Sequence, residues 1–315
     1  MSNALIAGGA GFLGLNLAKA IRRQGHQVTI LDNFVTGSKA EAEKLIANDD
    51  GVTLVRHDVT IPIPTDQFLD ISIIYNFACP ASPPQYQKFP LRTLKTSILG
   101  SINLLDLADN LKIPYLFAST SEIYGDPLVS PQHENYWGNV NPIGIRACYD
   151  EGKRVGEALV MDYGRERNLN GKICRIFNTF GPGMDLNDGR VMSNYIRNAL
   201  QGSPLEVNGD GSQTRSFCYV DDLIEGVMSL ASSECTGPIN LGNTVPISML
   251  DLAKDIILKT QSNSQIIFKD LPGDDPRLRE PDISLAKDLL SWEPRTPYAN
   301  GIEKMIEDFR LRMAV

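Results

Sequence analysis

Ala4 to Ala7 is a short apolar run that breaks at a cluster of glycines, and from Phe12 to Ile21 the apolar residues return with the 3.6-residue period of an amphipathic helix. The pattern predicts strand, turn, helix. Further apolar runs follow at Val28–Leu31, Val52–Val55, Ile71–Phe77, Tyr115–Ala118 and Lys172–Phe177, separated by helical stretches near 39–47, 91–111 and from about Arg146 to Arg167. Such alternation predicts an α/β fold: a doubly wound parallel sheet covered on both faces. The regular pattern ends after Phe177. The loop GPGMDLNDGR (Gly181–Arg190) leads to a helix over 191–201, a strand near Leu205–Val207, the turn GDGSQ, a strand over Arg215–Val220, a helix over Asp221–Leu230 and then PINLG. Helices near 248–260, 284–290 and 300–313 complete the chain. We place a boundary near residue 180, giving a first lobe over 1–180 and a smaller α/β lobe over 181–315. The segment about 214–242 is a candidate to return to the first lobe's sheet.

The chain of 315 residues, 42% apolar and 22% charged, is long enough to bury a sizeable core and shows no low-complexity run or solenoid repeat. Its net charge of −8 and pI near 5.0 argue against a nucleic-acid partner. The N-terminal MSNALIAGG lacks the basic region and long apolar stretch of a signal peptide, and no segment is long enough to span a bilayer, so a cytoplasmic protein without a membrane partner is expected. The five cysteines are an odd number with no C-x-x-C pair, which fits a reducing compartment. The three histidines have no metal-ligand spacing, and no metal is expected.

Candidate chemistry begins at Gly8-Gly9-Ala10-Gly11-Phe12-Leu13-Gly14, where glycines at three-residue intervals stand between a predicted strand and a predicted helix. A dinucleotide site needs that context: a tight turn, close backbone approach to a pyrophosphate, and a helix N-terminus facing its charge. Asp32, ending the next strand, is placed to accept hydrogen bonds from ribose hydroxyls and to repel a 2′-phosphate, so NAD is expected over NADP. Asp58, in RHDVT, is placed either to cap an adenine or simply to hold its own turn.

Tyr149 and Lys153 lie four apart in NPIGIRACYDEGK, at the start of the long helix. A shared helical face by chance and an acid/base pair both fit that spacing. Thr120, ending the fifth strand in STSE, favours the second reading: at the carboxyl edge of the sheet the three would meet over a nicotinamide ring. Positive charge from Lys153 and the oxidised ring would then lower the tyrosine pKa and make it a general base.

With these residues in view, the chain resembles the extended short-chain dehydrogenase/reductase family, and within it the branch of UDP-glucuronate decarboxylases. The resemblance runs nearly end to end, through GGAGFLG, LDNFVTG, HDVT, CPASPPQY, TLKTS, STSEIYGDP, YWGNVNPIGIRACYDEGKR, RIFNTFGP, NDGRV, GDGSQTRSFCYVDD, NLGN and DDPRLREPD. It implies a Rossmann lobe, a smaller sugar-nucleotide lobe, NAD retained through turnover and a homodimer formed through two long helices. The cofactor set it implies is Gly8, Gly11, Phe12, Leu13, Gly14, Asp32, Asn33, Asp58, Val59, Ala78, Tyr149 and Lys153. The implied catalytic residues are Thr120, Ser121, Glu122, Tyr149, Lys153 and Arg279. Tyr86, Glu122, Asn178, Arg190, Arg215 and Arg279 are the implied substrate ligands. In that scheme Glu122 confronts the sugar carboxylate as a like charge and Arg279 orients it. Without the resemblance, Arg279 has a second reading as a solvated turn residue, Arg190 and Arg215 as partners of Asp188 or Asp221, and Asn178 as a strand-end turn residue. Ala7, Cys79, Ser97 and Ile145 depart from the usual Thr, Ser, Asn and Pro. The rivals are 4-epimerases, 4,6-dehydratases, which usually carry Asp where Ser121 stands, UDP-apiose/xylose synthases, and a non-catalytic NAD-binding protein.

Overall fold

The computed structural model of the protein describes residues 2–270 and 278–314; Asp274 to Arg277, which begin the DDPRLREPD motif, lie outside the described residues. The chain enters through the strand Asn3–Ala7 (β1), the helix Phe12–Arg23 (α1), the strand Gln27–Asp32 (β2), the helix Lys39–Asn48 (α2) and the strands Val52–Arg56 (β3) and Ile71–Asn76 (β4). Two short helices, Pro83–Lys88 (α3) and Pro90–Lys95 (α4), lead through a π-type turn at Thr96–Gly100 into the helix Ser101–Leu111 (α5). The strand Tyr115–Thr120 (β5), the long helix Ala147–Arg167 (α6) and the strand Gly171–Ile176 (β6) complete the first alternating series.

The remainder is more broken: Thr179–Phe180 (β7), Val191–Leu200 (α7), Leu205–Asn208 (β8), Thr214–Ser216 (β9), Cys218–Tyr219 (β10), Val220–Ser232 (α8) and Ile239–Leu241 (β11). Pro246–Ser248 (β12), Met249–Thr260 (α9), Ile266–Lys269 (β13), Ser284–Leu290 (α10) and Tyr298–Met313 (α11) follow. The single strand expected over Arg215–Val220 is split at Phe217. Its first half pairs antiparallel with β12 and its second half parallel with β7. The return to the main sheet comes later, through β11, whose Ile239 lies opposite Cys174 of β6.

The main sheet has seven parallel strands in the order β11-β6-β5-β4-β1-β2-β3. Chain order reverses between β1 and β4, and ligands of doubly wound sheets bind outside the carboxyl ends of the strands at such a reversal. Every residue of β1 (NALIA) and β5 (YLFAST) is buried. That explains why these strands read as continuous apolar runs: each has a helical layer on both faces. Leu17, Ile21, Leu223 and Val227 belong to the core on one side, and Leu104, Leu105, Phe117 and Val160 to the core on the other.

One contact governs how closely α6 approaches the sheet. A Cβ at Gly156 would lie 2.2 Å from Cζ of Phe117 on β5, and one at Gly152 would lie 2.9 Å from Cβ of Ser97 in the π-type turn. A side chain at 156 would therefore lift the helix or tilt the ring. Gly156→Val is expected to cost about 1–3 kcal/mol, the usual range for overpacking. Thermal unfolding checks this, and an unchanged melting temperature would show that the contact is not limiting.

Candidate active site

At the nucleotide end, β1 runs out at Ala7 and Gly8 turns the chain with φ of +73°, its N–H donating to Leu31 O at 2.9 Å. The glycines of this turn serve different needs. A Cβ on Gly8 would meet Phe77 O and Ala78 N at 2.7 Å, and one on Gly14 would meet Gly8 O at 2.6 Å, so the chain itself excludes side chains there. Gly11 is different: only Gly8 O comes within 4 Å of such a Cβ, at 3.3 Å. Its bare Cα leaves room above the N-terminus of α1, where the first helical N–H groups, those of Phe12 and Leu13 among them, have no intrahelical acceptor. Gly11 caps that helix without a side-chain bond, and its first turn holds no acid. An anion such as a pyrophosphate fits this cradle.

Asp32, 8% exposed, ends β2 beside the turn; its Oδ2 accepts the Ala10 N–H at 3.0 Å and its Oδ1 the Phe34 N–H at 2.8 Å. Burial raises its carboxyl pKa, and those backbone donors work against the rise. Asp58 makes the turn bonds that were one of its two readings, accepting from the N–H and hydroxyl of Thr60, and it also accepts from Asn33 Nδ2 at 3.1 Å. Val59 is buried and its carbonyl accepts from Asn103 Nδ2 at 2.7 Å, while the Ala78 N–H donates to Asn76 Oδ1 at 3.0 Å. The turn, Asp32 and Asp58 thus lie along the carboxyl edge of β1 to β3, as a dinucleotide requires.

At the chemical end, Thr120 closes β5 and its hydroxyl accepts the Glu122 N–H at 3.2 Å, opening a short 3₁₀ turn over Ser121–Tyr124. Tyr149 and Lys153 occupy the first turns of α6, 6% and 4% exposed. Lys153 Nζ donates to Ala118 O at 2.6 Å and lies 5.9 Å from the centre of the Tyr149 ring. Tyr86 of α3 stacks on Tyr149 with ring centres 5.1 Å apart and planes 6° from parallel. One expectation changes here. Within the chain, burial pushes the Tyr149 phenol well above its ordinary range, and a hydrogen bond with Thr120 and the charge of Arg190 only partly oppose it. Burial likewise lowers the Lys153 ammonium, because each group's charged form has left water.

Glu122 also departs from expectation. It does not stand as a bare negative charge: Arg146 Nη2 lies 2.6 Å from its Oε2 and Arg279 Nη2 lies 2.7 Å from its Oε1. Despite the burial that would raise it, the two guanidiniums, Arg279 foremost, hold the Glu122 carboxyl below its usual range. Arg279 is no solvated turn residue, being 8% exposed. It is carried in by its neighbour Glu280, whose carbonyl and N–H bond to Gln132 at 2.8 and 2.9 Å, and its Nη1 donates to Asn178 Oδ1 at 3.3 Å. Arg190 pairs with Asp188 through two contacts, as one of its readings had it, yet lies near enough to Tyr149 to act on the phenol. Arg215, buried on β9, donates to Thr214 O at 2.9 Å and helps hold Glu122 ionised. Ser121 is buried next to Glu122 in the turn.

The sequence reading passed over Arg146. Its signal was present, since Arg146 precedes Tyr149 by three residues and Asp150 by four and so shares their side of the helix. Among the described residues no group of His, Cys, Asp and Glu could hold a metal ion, and no helix is long and apolar enough to cross a membrane.

Residues 4–242 match the NAD dependent epimerase/dehydratase family. The chain belongs to that family. It is 48% identical to UDP-glucuronic acid decarboxylase 6 of Arabidopsis thaliana over 99% of this chain and 90% of that protein. With UDP-glucuronic acid decarboxylase 1 of Danio rerio it is 48% identical over 97% of this chain and 72% of the other. Among solved structures it resembles a UDP-N-acetylglucosamine 4-epimerase from Methanobrevibacter ruminantium, in complex with UDP-N-acetylmuramic acid, with a TM-score of 0.90 and 26% identity over 99% of both chains. Decarboxylases and epimerases therefore share this fold, and the side chains of the site must tell them apart.

The glycine turn makes a prediction that separates packing from binding. Gly14→Ala is expected to destabilise the fold, whereas Gly11→Ala is expected to keep its melting temperature and weaken NAD binding by about tenfold or more, since its methyl enters the cradle. Calorimetric titration of both variants checks this, and unimpaired NAD binding by Gly11→Ala would remove the cradle.

Proposed function

We propose that this chain is a UDP-glucuronate decarboxylase that forms UDP-xylose and holds NAD through each turnover. The observation that carries the reading is the convergence, at one sheet edge, of Thr120, Tyr149 and Lys153 with an ionised Glu122 set between Arg146 and Arg279. The first group suits oxidation of a carbinol, and the second suits an acidic sugar. The decarboxylase relatives, about half identical along nearly the whole chain, support the same assignment.

Gly8, Gly11 to Gly14, Asp32, Asn33, Asp58, Val59 and Ala78 would hold NAD, which would supply reversible oxidation at the sugar C4. The positive charge that oxidised NAD would bring beside the phenol opposes the rise that burial gives it in the chain alone. Tyr149 then takes the proton of the C4 hydroxyl, Thr120 hydrogen-bonds the same oxygen, and Lys153 stands 5.9 Å from the ring centre. The C6 carboxylate is then β to a ketone. It leaves as carbon dioxide while its electron pair passes into the carbonyl as an enolate, which hydrogen bonds to O4 stabilise. Water supplies the proton at C5, and reversal of the C4 oxidation, in which Tyr149 returns its proton to O4, yields the pentose. An incoming uronate must share two guanidiniums with Glu122, so its carboxylate is oriented by Arg279 without being fully neutralised. Such a ground state favours departure as a neutral gas. Ser121 and Tyr86 line this side, Arg190 and Arg215 hold the diphosphate, and Asn178, bonded to Arg279, meets the phosphate or the sugar.

The second reading, a 4-epimerase, is favoured only by fold, since the Methanobrevibacter enzyme shares the architecture. We further propose the division into a dinucleotide lobe over 1–180, to which the segment about 214–242 returns through β11, and a sugar-nucleotide lobe over the rest of 181–315. A cytoplasmic homodimer through α4–α5 and α6 is supported by the exposed Leu91 on α4, Leu99 in the π-type turn and Val155 on α6, and by five free cysteines.

Purified protein given UDP-glucuronate without added NAD is expected to release carbon dioxide and form UDP-xylose, identified by NMR; UDP-galacturonate with its carboxylate intact would favour the epimerase. Tyr149→Phe is expected to bind NAD as before and to turn over about 10² to 10⁴-fold more slowly, the usual contribution of a positioned base. Turnover near the unsubstituted rate would remove Tyr149 from the chemistry.

A further inference from the structure

Buried polar atoms without a partner gather on the sugar side of the site. Among the described residues, Ser82 Oγ, Tyr86 OH, Asp150 Oδ1 and Asn178 Nδ2 are enclosed and make no hydrogen bond. Such atoms are costly, and they persist where a ligand completes them. Tyr86 and Asn178 already belong to the substrate set. Asp150 does not, although it is 6% exposed and stands next to Tyr149.

Asp150 lies one helical turn beyond Arg146, and its N–H donates to Arg146 O at 3.1 Å. Several groups act on its carboxyl: Glu122 from the turn after β5, Arg146 and Glu151 from its own helix, and Arg279 from the second lobe. Asp150 in turn acts on Tyr86 of α3 and on Cys148. Glu122 already makes close ion pairs with both arginines. Burial first, and Glu122 next, push the Asp150 carboxyl up to about 8, with Arg146 and Arg279 pulling the other way. A carboxyl raised in this way holds its proton to higher pH than a free one, and a buried carboxylic acid is a hydrogen-bond donor.

We propose that Asp150 is a specificity-determining residue of the uronate pocket, donating its acid proton in a hydrogen bond to the carboxylate of the sugar. The proposal rests on the reading of the substrate as a UDP-uronate. It explains how one pocket can hold Glu122 and a second carboxylate: the third carboxyl arrives neutral and adds a donor. Above its pKa, Asp150 becomes a further negative charge beside two others. Uronate affinity is therefore complete below that pH and is lost as the pH rises through it, while a UDP-sugar without a carboxylate is indifferent.

The test uses NAD-loaded Tyr149→Phe protein, so that binding can be titrated with little turnover. The dissociation constant for UDP-glucuronate is expected to rise about tenfold between pH 7 and pH 9, and that for UDP-glucose to stay within about twofold. Adding Asp150→Asn should flatten the uronate curve, because an amide N–H donates at every pH. A flat curve with Asp150 in place overturns the proposal, and this measurement needs no variant at position 150. The same rise in the Asp150→Asn protein also overturns it by assigning the titration to another group. Failure of the underlying reading has its own signature: UDP-glucuronate then binds no better than UDP-glucose at any pH, and the unsubstituted enzyme releases no carbon dioxide from it.

Discussion

Helix α6 rests on β5 at a distance that only glycine permits, with the Phe117 ring filling the place a side chain would take at position 156. Lowered onto the sheet in this way, the helix begins beside the carboxyl end of β5, where Thr120 emerges. Tyr149 and Lys153 are one turn apart, so seating the helix places both. The Lys153 ammonium then reaches the Ala118 carbonyl and lies 4.8 Å from the centre of the Phe117 ring. The same aromatic ring that limits the helix therefore also faces the cation, and a shift of the helix would misplace the reacting phenol and its lysine together.

Beneath the site, a second set of buried polar groups holds the elements in register. Arg175 of β6 makes paired bonds to Glu157 of α6, at 2.9 and 2.7 Å, while Ser119 of β5 donates to the same carboxylate. Arg175 also donates to the Tyr124 hydroxyl, which donates to Asn240 of β11 at 2.8 Å. Asn240 Nδ2 in turn donates to Gln132 O and Asp282 O, at 2.9 and 3.0 Å. Removing one member would leave a charge or an amide stranded out of water, so the network acts as a unit. Its reach explains Arg279: the segment that carries it is bonded to Gln132, and Gln132 belongs to the loop between β5 and α6.

The charges of the site show a similar economy. Glu122 stays ionised in a buried place because two guanidiniums meet its two oxygens, whereas burial first, and the charge of Glu122 next, raise the Asp150 carboxyl against the pull of the same arginines. Environments that drive two carboxyl groups apart give them different tasks.

The strands and helices of the first lobe, the glycine turn, and the meeting of Thr120 with Tyr149 and Lys153 were legible in the sequence. Each depends on short-range order: apolar period, glycines between a strand and a helix, and one helical turn between two side chains. The sequence did not show that the run Arg215–Val220 divides between two partners, because pairing at Phe217 depends on strands distant in the chain. Nor did it show the sign of the Tyr149 shift, since desolvation comes from everything packed around the ring, including Tyr86 of α3. The sequence by itself determined which chemical groups are available and the lobe that presents most of them. Only the tertiary structure decided that Arg146 and Arg279 both meet Glu122, because the three come from separate parts of the chain and a buried carboxylate binds whichever cations folding brings within reach.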